Sequence, residues 1–190
     1  MTYFVPANKY SSTVSQEDAD SKAATDLNAN KQAYANTYGY CTALPVSPLG
    51  LTTVGVLSET GDAGYWSANS FTSSLDIVVN KMNLYVGTAS GKARLGIYSD
   101  LSGQPGKLLA QTGEIYLSNG WNRSALESSL SLSSGVSYWL AAEVSSLATT
   151  LYFNRSSGQH KYKSYSFGPM PSPAPIGCVT GSGTYSIYAD

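Results

Sequence analysis

Apolar and polar residues alternate along most of the chain beyond Leu51, with the period of two that is typical of β-strands burying one face. From Val136 to Val144, one face carries Val136, Tyr138, Leu140, Ala142 and Val144. The opposite face carries Ser137, Trp139, Ala141 and Glu143. We expect the first face to form core. Similar segments, separated by turns rich in Gly, Ser and Asn, cover residues 51–58, 65–71, 75–79, 82–86, 93–98, 107–111, 114–117, 123–132, 136–144, 150–154, 161–167 and 184–188.

The alternation changes phase between Val79 and Met82, which predicts a tight turn or a β-bulge at Asn80–Lys81. Many short strands without helices between them favour a two-layer sheet packing. The pattern therefore predicts a mainly β fold, an antiparallel jelly-roll-like β-sandwich preceded by an N-terminal strand and one long α-helix.

The N-terminal part of the chain has a different pattern. A short extended run, Thr2 to Val5, ends at Pro6, and Ser15 then precedes a helical window that Gly39 closes. Acidic residues occupy the first helical turn, where the helix dipole favours negative charge. The inward stripe of this helix is narrow and mostly small, and consists of Ala19, Ala23, Leu27, Asn30, Tyr34 and Tyr38.

Such a helix buries too little apolar surface to be stable alone, so it must pack against its own β body or against another copy. The pattern leaves both alternatives open. The predicted organisation is a strand-helix arm (1–41), a linker (42–50) and a β-sandwich body (51–190). Within the body, a Pro-rich, partly polyproline-like connector (168–177) separates a C-terminal strand from the other strands.

Charged residues make up 12% of the 190 residues, about half the usual share of roughly 25%. The net charge of -1 and the lack of a Lys/Arg cluster argue against nucleic acid or anionic lipid as the main partner. No apolar run approaches the roughly 18 residues of a membrane span, so we expect no membrane insertion. The N-terminus lacks the pattern of a secretory signal, which is either absent or already removed.

Two cysteines, Cys41 and Cys178, lie far apart in the sequence and match no metal-binding spacing. We expect a disulfide that ties the end of the arm to the C-terminal segment in an oxidising, extracellular setting. The alternative is two unrelated buried thiols.

The arm resembles an uncharacterised short domain of bacterial surface and phage-associated proteins. The resemblance rests on a Thr-Val-Ser-Gln start, an Asp-Ala-Asp-x-Lys-Ala centre, a Gln-Ala-Tyr-Ala-Asn end and the closing Cys41. The segment from Met82 to Val144 resembles β-sandwich modules of bacterial surface and phage structural proteins. These resemblances imply an extracellular, cell-surface or virion setting, but no particular chemistry.

Candidate chemistry is sparse. The single histidine, His160, lies in the polar context Gly-Gln-His-Lys and is predicted to be a solvated loop residue. The acidic loops Glu59–Asp62 and Ser99–Gly103 could offer oxygen ligands to calcium, but their charge density is low and ordinary turns explain them. No carboxylate pair or nucleophile motif is persuasive. We therefore predict no catalytic residue, no metal, no cofactor and no enzymatic activity.

Aromatic residues are the remaining candidates, because their rings stack on sugars and anchor interfaces. We single out Trp66, Trp121 and Trp139 as candidate ligand or interface aromatics. Two hypotheses follow. The leading one is a self-assembling structural subunit of an extracellular or virion fibre, whose terminal strand or arm (Tyr3, Phe4, Val5, Leu27 and Tyr34) contacts the next copy. The alternative is a monomeric, adhesin-like module that binds a carbohydrate or a host-surface receptor.

Overall fold

The computed structural model describes residues 2–38, 47–60 and 62–190, without the side chains of residues 157 and 158. The chain forms two compact units, Met1–Leu44 and Pro45–Asp190. The first contains the helix α1 (Gln16–Tyr38). The described part of the second contains β1 (Leu49–Gly50), β2 (Leu57–Thr60), β3 (Tyr65–Thr72), β4 (Ile77–Val86), β5 (Lys92–Asp100), β6 (Pro105–Gln111), β7 (Ile115–Tyr116), β8 (Gly120–Leu132), β9 (Ser137–Val144), β10 (Thr150–Ser164), β11 (Val179–Tyr185) and β12 (Ile187–Ala189).

The strands pair antiparallel in the order β1-β12-β4-β10-β3-β9-β5-β6, with β8 on β4, β7 on β5, and β2 and β11 on β10. The long strand β10 pairs with β2 and β4 near its start and with β3 near its end. It therefore belongs both to the layer of β4, β8 and β12 and to the layer of β3, β9 and β5. This arrangement confirms the predicted mainly β, antiparallel sandwich with one N-terminal helix.

The main core lies between these layers. It joins alternate residues of β4, β5, β8, β9 and β12, including Leu84, Leu95, Leu132, Leu140 and Ile187. The predicted core face of β9 is buried as expected from Tyr138 to Val144, whereas Val136 lies outside the strand and is 43% exposed. A register shift between Val79 and Lys81 confirms the bulge predicted at Asn80–Lys81.

A second core covers the outer face of β9, opposite the face that the sequence predicts to form core. Met170 and Ala174 of the connector pack there. Their partners are Trp66, Ala68, Tyr98, Trp139 and Ala141. Tyr98 also donates a hydrogen bond to the Pro171 carbonyl oxygen (2.9 Å). The connector therefore does not separate the last strand from the body, contrary to the sequence expectation, because its apolar residues cover a face of the sheet that would otherwise be wet.

The start of the first unit also differs from the expectation. Residues Thr2 to Val5 form no strand but lie along α1, where Tyr3 stacks against Tyr34 with ring centroids 5.3 Å apart. The most buried residue of the helix is a polar one, Asp26. Its carboxylate can be buried because it accepts hydrogen bonds from Lys9 Nζ (2.7 Å) and Asn30 Nδ2 (2.5 Å).

The apolar residues predicted as arm contacts divide into two groups within this unit. Tyr3, Val5 and Tyr34 are half-buried. Phe4 is 72% exposed and Leu27 is 38% exposed. Leu27 is therefore not a buried anchor within this unit, since the covering segment brings Tyr3 and Lys9 to Asp26 instead.

The predicted disulfide stays a prediction, since Cys41 lies outside the described residues. Its expected partner, Cys178, is half-buried, and its Sγ donates a hydrogen bond to the Pro175 carbonyl oxygen (3.0 Å).

Candidate binding cavity

A cavity of about 380 Å³ opens where β2, β3, β10 and β11 meet. It combines carboxylates, aromatic rings, an imidazole, a guanidinium and glycine backbone. The lining residues are Glu59, Asp62, Tyr65, Ser67, Phe153, Arg155, His160, Tyr162, Gly181, Ser182, Gly183 and Tyr185.

The position of the cavity follows from a change of partner along β10. Phe153 pairs with Leu57 of β2, whereas His160 pairs with Asn69 of β3. The pairing of β10 with β11 is irregular between Arg155 and His160. Strands that change neighbours in this way leave a gap in the sheet surface, and bulged strands often lie beside functional sites.

Two carboxylates lie together at one side of the cavity. Glu59 belongs to β2, and Asp62 lies in the connection from β2 to β3. The Tyr185 hydroxyl donates a hydrogen bond to Glu59 Oε1. Asp62 Oδ2 is covered and has no hydrogen-bond partner among the described residues.

This environment changes the pKa values of Asp62 and Tyr185. Burial, and secondly the negative charge of Glu59, raise the pKa of Asp62 to about 6, although the Tyr185 hydroxyl lowers it in part. Burial, and then the negative charge of Asp62, raise the pKa of Tyr185, so that it remains a hydrogen-bond donor at neutral pH. The cavity therefore contains a carboxylate that is costly to ionise without a ligand.

His160 is not the solvated loop residue that the sequence predicts. It lies within β10 and is only 7% exposed, since β10 continues through the Gly-Gln-His-Lys segment. Its ring packs edge-on against Tyr185, with centroids 5.2 Å apart. Nε2 is covered without a hydrogen-bond partner in the described part of the chain, and burial lowers the pKa of the imidazole to about 4. His160 is therefore neutral at physiological pH.

Tyrosine rings form the more open wall. Tyr65 of β3 is 41% exposed, and its ring centroid lies 6.0 Å from that of Tyr162 in β10. The pair presents apolar ring surface beside the carboxylates. This combination of ring faces and a few converging polar groups is characteristic of small-molecule sites.

Residues behind the cavity wall fix its shape. The side-chain amide of Asn69, which is 1% exposed, accepts from Tyr185 N (3.0 Å) and donates to the Gly183 carbonyl (2.7 Å). Asn69 thereby attaches β11 to β3 and positions Tyr185. At Gly181, a Cβ would overlap the His160 ring, so a glycine is needed where β11 passes the imidazole.

The structure brings none of the three predicted tryptophans into this cavity. Trp66 and Trp139 are 0% and 1% exposed in the second core, so they are not available to a ligand. Trp66 Nε1 donates to the Tyr98 hydroxyl (3.2 Å), and Trp139 Nε1 donates to Asp100 Oδ1 (2.7 Å). The sequence pattern makes these two rings candidate ligand or interface aromatics because it cannot show that the connector covers them.

Trp121 is half-exposed and belongs to a separate aromatic group on the outer side of β4, β8, β10 and β12. It lies opposite Tyr85 in the sheet, with ring centroids 5.4 Å apart, and 5.0 Å from the ring of Tyr188. Tyr152 adds a further ring, 5.4 Å from Tyr85. Trp121 is thus the only one of the three that remains a candidate surface aromatic.

Glu59 and Asp62 are functional candidates in a segment that the sequence predicts to be an ordinary turn. Their three-residue spacing was the available signal, but Tyr185 and His160 lie far away in the sequence. No group of three or more His, Cys, Asp or Glu side chains in the described ranges is arranged to hold a metal ion. The second acidic loop is structural, since Asp100 accepts from Trp139 and from Gly103 N (2.9 Å).

A family model matches the start of the chain. Residues 1–42 match a family of unknown function (DUF5977), which agrees with the resemblance of the arm to an uncharacterised domain. The match leaves out the β-sandwich and carries no activity with it. No curated protein matches the chain. In the described residues, α1 is too polar to cross a bilayer.

Proposed function

We propose that the chain is a non-enzymatic carbohydrate-binding module, adhesin-like, that acts outside the cell. The observation that carries this proposal is the cavity, where the Tyr65 and Tyr162 rings lie beside Glu59, Asp62 and His160. A sugar has apolar C–H faces that pack on aromatic rings and hydroxyls that need polar partners. Both kinds of partner are present in one concave site.

The size of the site favours a short saccharide. Small-molecule sites occupy roughly 300–1,000 Å³, and the cavity of about 380 Å³ is near the lower end of that range. The surface or phage setting implied by the arm's resemblance agrees with glycan binding, since such proteins meet host or environmental glycans.

Two tyrosine variants test this function. We expect Tyr65→Ala and Tyr162→Ala each to weaken binding of a saccharide identified on a glycan array by about five- to thirtyfold, because each removes ring surface worth roughly 1–2 kcal/mol. Isothermal titration calorimetry of the full chain measures the loss. Tyr116→Ala is the matched control, since Tyr116 is 78% exposed on β7 and does not line the cavity.

Two results would contradict the proposal. The first is an array on which no glycan binds. The second is release of new reducing ends from a bound saccharide, which would indicate a glycosidase that uses the two carboxylates.

Self-assembly is the second candidate function, and one observation favours it. Phe4 and Leu27, two residues of the predicted arm, are exposed at 72% and 38%. Exposed apolar side chains of this kind are candidates for contacts between copies. The C-terminal strand offers less support, because Ile187 and Ala189 of β12 are 1% and 0% exposed within their own sheet.

A further inference from the structure

This inference rests on the proposed function and concerns which sugar the cavity binds. We infer that the sugar carries a free amine, whose ammonium group binds between the carboxylates of Glu59 and Asp62. Both side chains line the same cavity of about 380 Å³. A ligand that fills the cavity therefore lies within reach of both.

The first argument is charge. Neither carboxylate forms an ion pair within the described ranges, where the acids that do so are Asp18, Asp26, Glu114 and Asp190. Arg155 lines the cavity, but its side chain is exposed and pairs with neither acid. An ammonium group would supply the missing positive charge, which a neutral hydroxyl cannot do.

The second argument is the number of hydrogen-bond donors. The Tyr185 hydroxyl has a single hydrogen, which it donates to Glu59, while Asp62 Oδ2 has no partner. An ammonium group has three hydrogens and can serve both acids at once. Charge-assisted hydrogen bonds of this kind are roughly twice as strong as neutral ones.

The third argument comes from His160, which is independent of the acids. It is 7% exposed, lines the cavity, and has a partnerless Nε2 in the described structure. Because the imidazole is neutral, it does not repel a cation. Tyr65 and Tyr162 also line the cavity, and their rings offer cation–π attraction to a bound cation.

Binding should also depend on pH through Asp62, whose pKa is about 6 in the empty cavity. Below that pH the acid is protonated and attracts an ammonium group less strongly, so we expect affinity to fall as the pH is lowered from about 6.5 to about 5, a range in which the amine stays protonated. The titratable and charged groups that line the cavity with Asp62 are Glu59, Tyr65, Arg155, His160, Tyr162 and Tyr185.

The experiment compares amines with their acetylated forms. Oligosaccharides of glucosamine and galactosamine, and their N-acetyl counterparts, are titrated into the full chain by calorimetry at about pH 6.5, where the amines are protonated, and at low salt. We expect at least one free amine to bind about tenfold or more tightly than its acetylated form. Asp62→Asn should remove that preference. Glu127→Gln, a change of an exposed glutamate on β8, should retain it.

The outcomes separate this inference from the proposed function. Acetylated sugars that bind as tightly as the amines would overturn the inference and leave carbohydrate binding intact. Cyclohexylamine, a ring amine without hydroxyls, binding as tightly as glucosamine would support the amine site and overturn the carbohydrate function. Failure of every amine to bind would overturn the inference.

Discussion

Glu143 shows how a single buried acid makes the stability of this protein depend on pH. It lies on the outer face of β9, is 2% exposed, and receives one long hydrogen bond, from Gly168 N of the connector (3.4 Å). Burial raises its pKa from 4.5 to about 7, although the Gly168 N–H and the charge of Arg94 lower it in part. The folded protein therefore binds this proton more tightly than the unfolded chain does.

The sign of the effect follows from linkage. Between about pH 4.5 and pH 7 the unfolded chain has released this proton and the folded protein retains it, so the free energy of unfolding falls as the pH rises. The contribution is complete below that window and lost above it. Its size is at most about 3 kcal/mol.

We therefore predict that Glu143→Gln flattens this pH dependence. The difference in unfolding free energy between about pH 5 and pH 8 should shrink by about 1–3 kcal/mol, because the amide has no proton to lose. Urea unfolding at both pH values measures it, with Glu127→Gln as the exposed control. An unchanged pH slope in the Glu143 variant would contradict this account.

At the scale of elements, the connector 168–177 acts as a cover for the sheet rather than as a linker. Two apolar side chains of the same segment differ sharply, since Met170 is 5% exposed and Ile176 is 89% exposed. Met170 fills the second core, and its methyl group lies close to Gly96 of β5.

These two residues give a matched pair of variants. We predict that Met170→Ala lowers the free energy of unfolding by about 2–4 kcal/mol, because it leaves a cavity in a packed core. Ile176→Ala should change it by less than about 0.5 kcal/mol. Urea unfolding measures the free energy of unfolding of both variants. Equally small decreases in the two variants would mean that the connector is detached from the sheet in solution.

The alternation of apolar and polar residues predicts most of the strands, but it does not predict which distant residues cover their outer faces. The bulge at Asn80–Lys81 and the inward face of β9 follow from neighbours in the sequence, and both are present. Burial of Trp139 depends on Met170, and the burial of His160 depends on Tyr185. Such contacts join distant parts of the chain, and a two-residue period contains no information about them.

The candidate cavity was hidden from the sequence for the same reason. Glu59 and Asp62 look like ordinary turn residues, and a Gly-rich run around Gly181 looks like a loop. The pairing of β10 with both β2 and β11 brings Tyr185 and His160 to these acids. The sequence pointed to aromatic residues as candidates, but it singled out Trp66, Trp121 and Trp139 and did not distinguish Tyr65.

At the scale of the whole molecule, self-assembly remains a prediction that belongs to the N-terminal arm. If the arm joins copies, the full chain should form large species in size-exclusion chromatography and filaments in negative stain. Deleting residues 1–40 should leave a monomer. The double change Phe4→Ser and Leu27→Ser should have the same effect, because it removes the exposed apolar contacts.

Val78→Ser is the control for this experiment, since Val78 is 53% exposed on β4 of the body. Filaments that persist after the deletion would exclude the arm as the joining element. A full chain that is monomeric at all accessible concentrations would exclude self-assembly and leave ligand binding as the surviving hypothesis.

The sharing of β10 between two layers has a consequence for how the sandwich loses its structure. Its first residues are hydrogen-bonded to β2 and β4 and its last residues to β3, while β11 pairs with both parts. Neither layer can separate without breaking bonds that this one strand makes in the other. The sandwich should therefore melt as one cooperative unit, and the cavity, which lies along β10, should persist until that single transition.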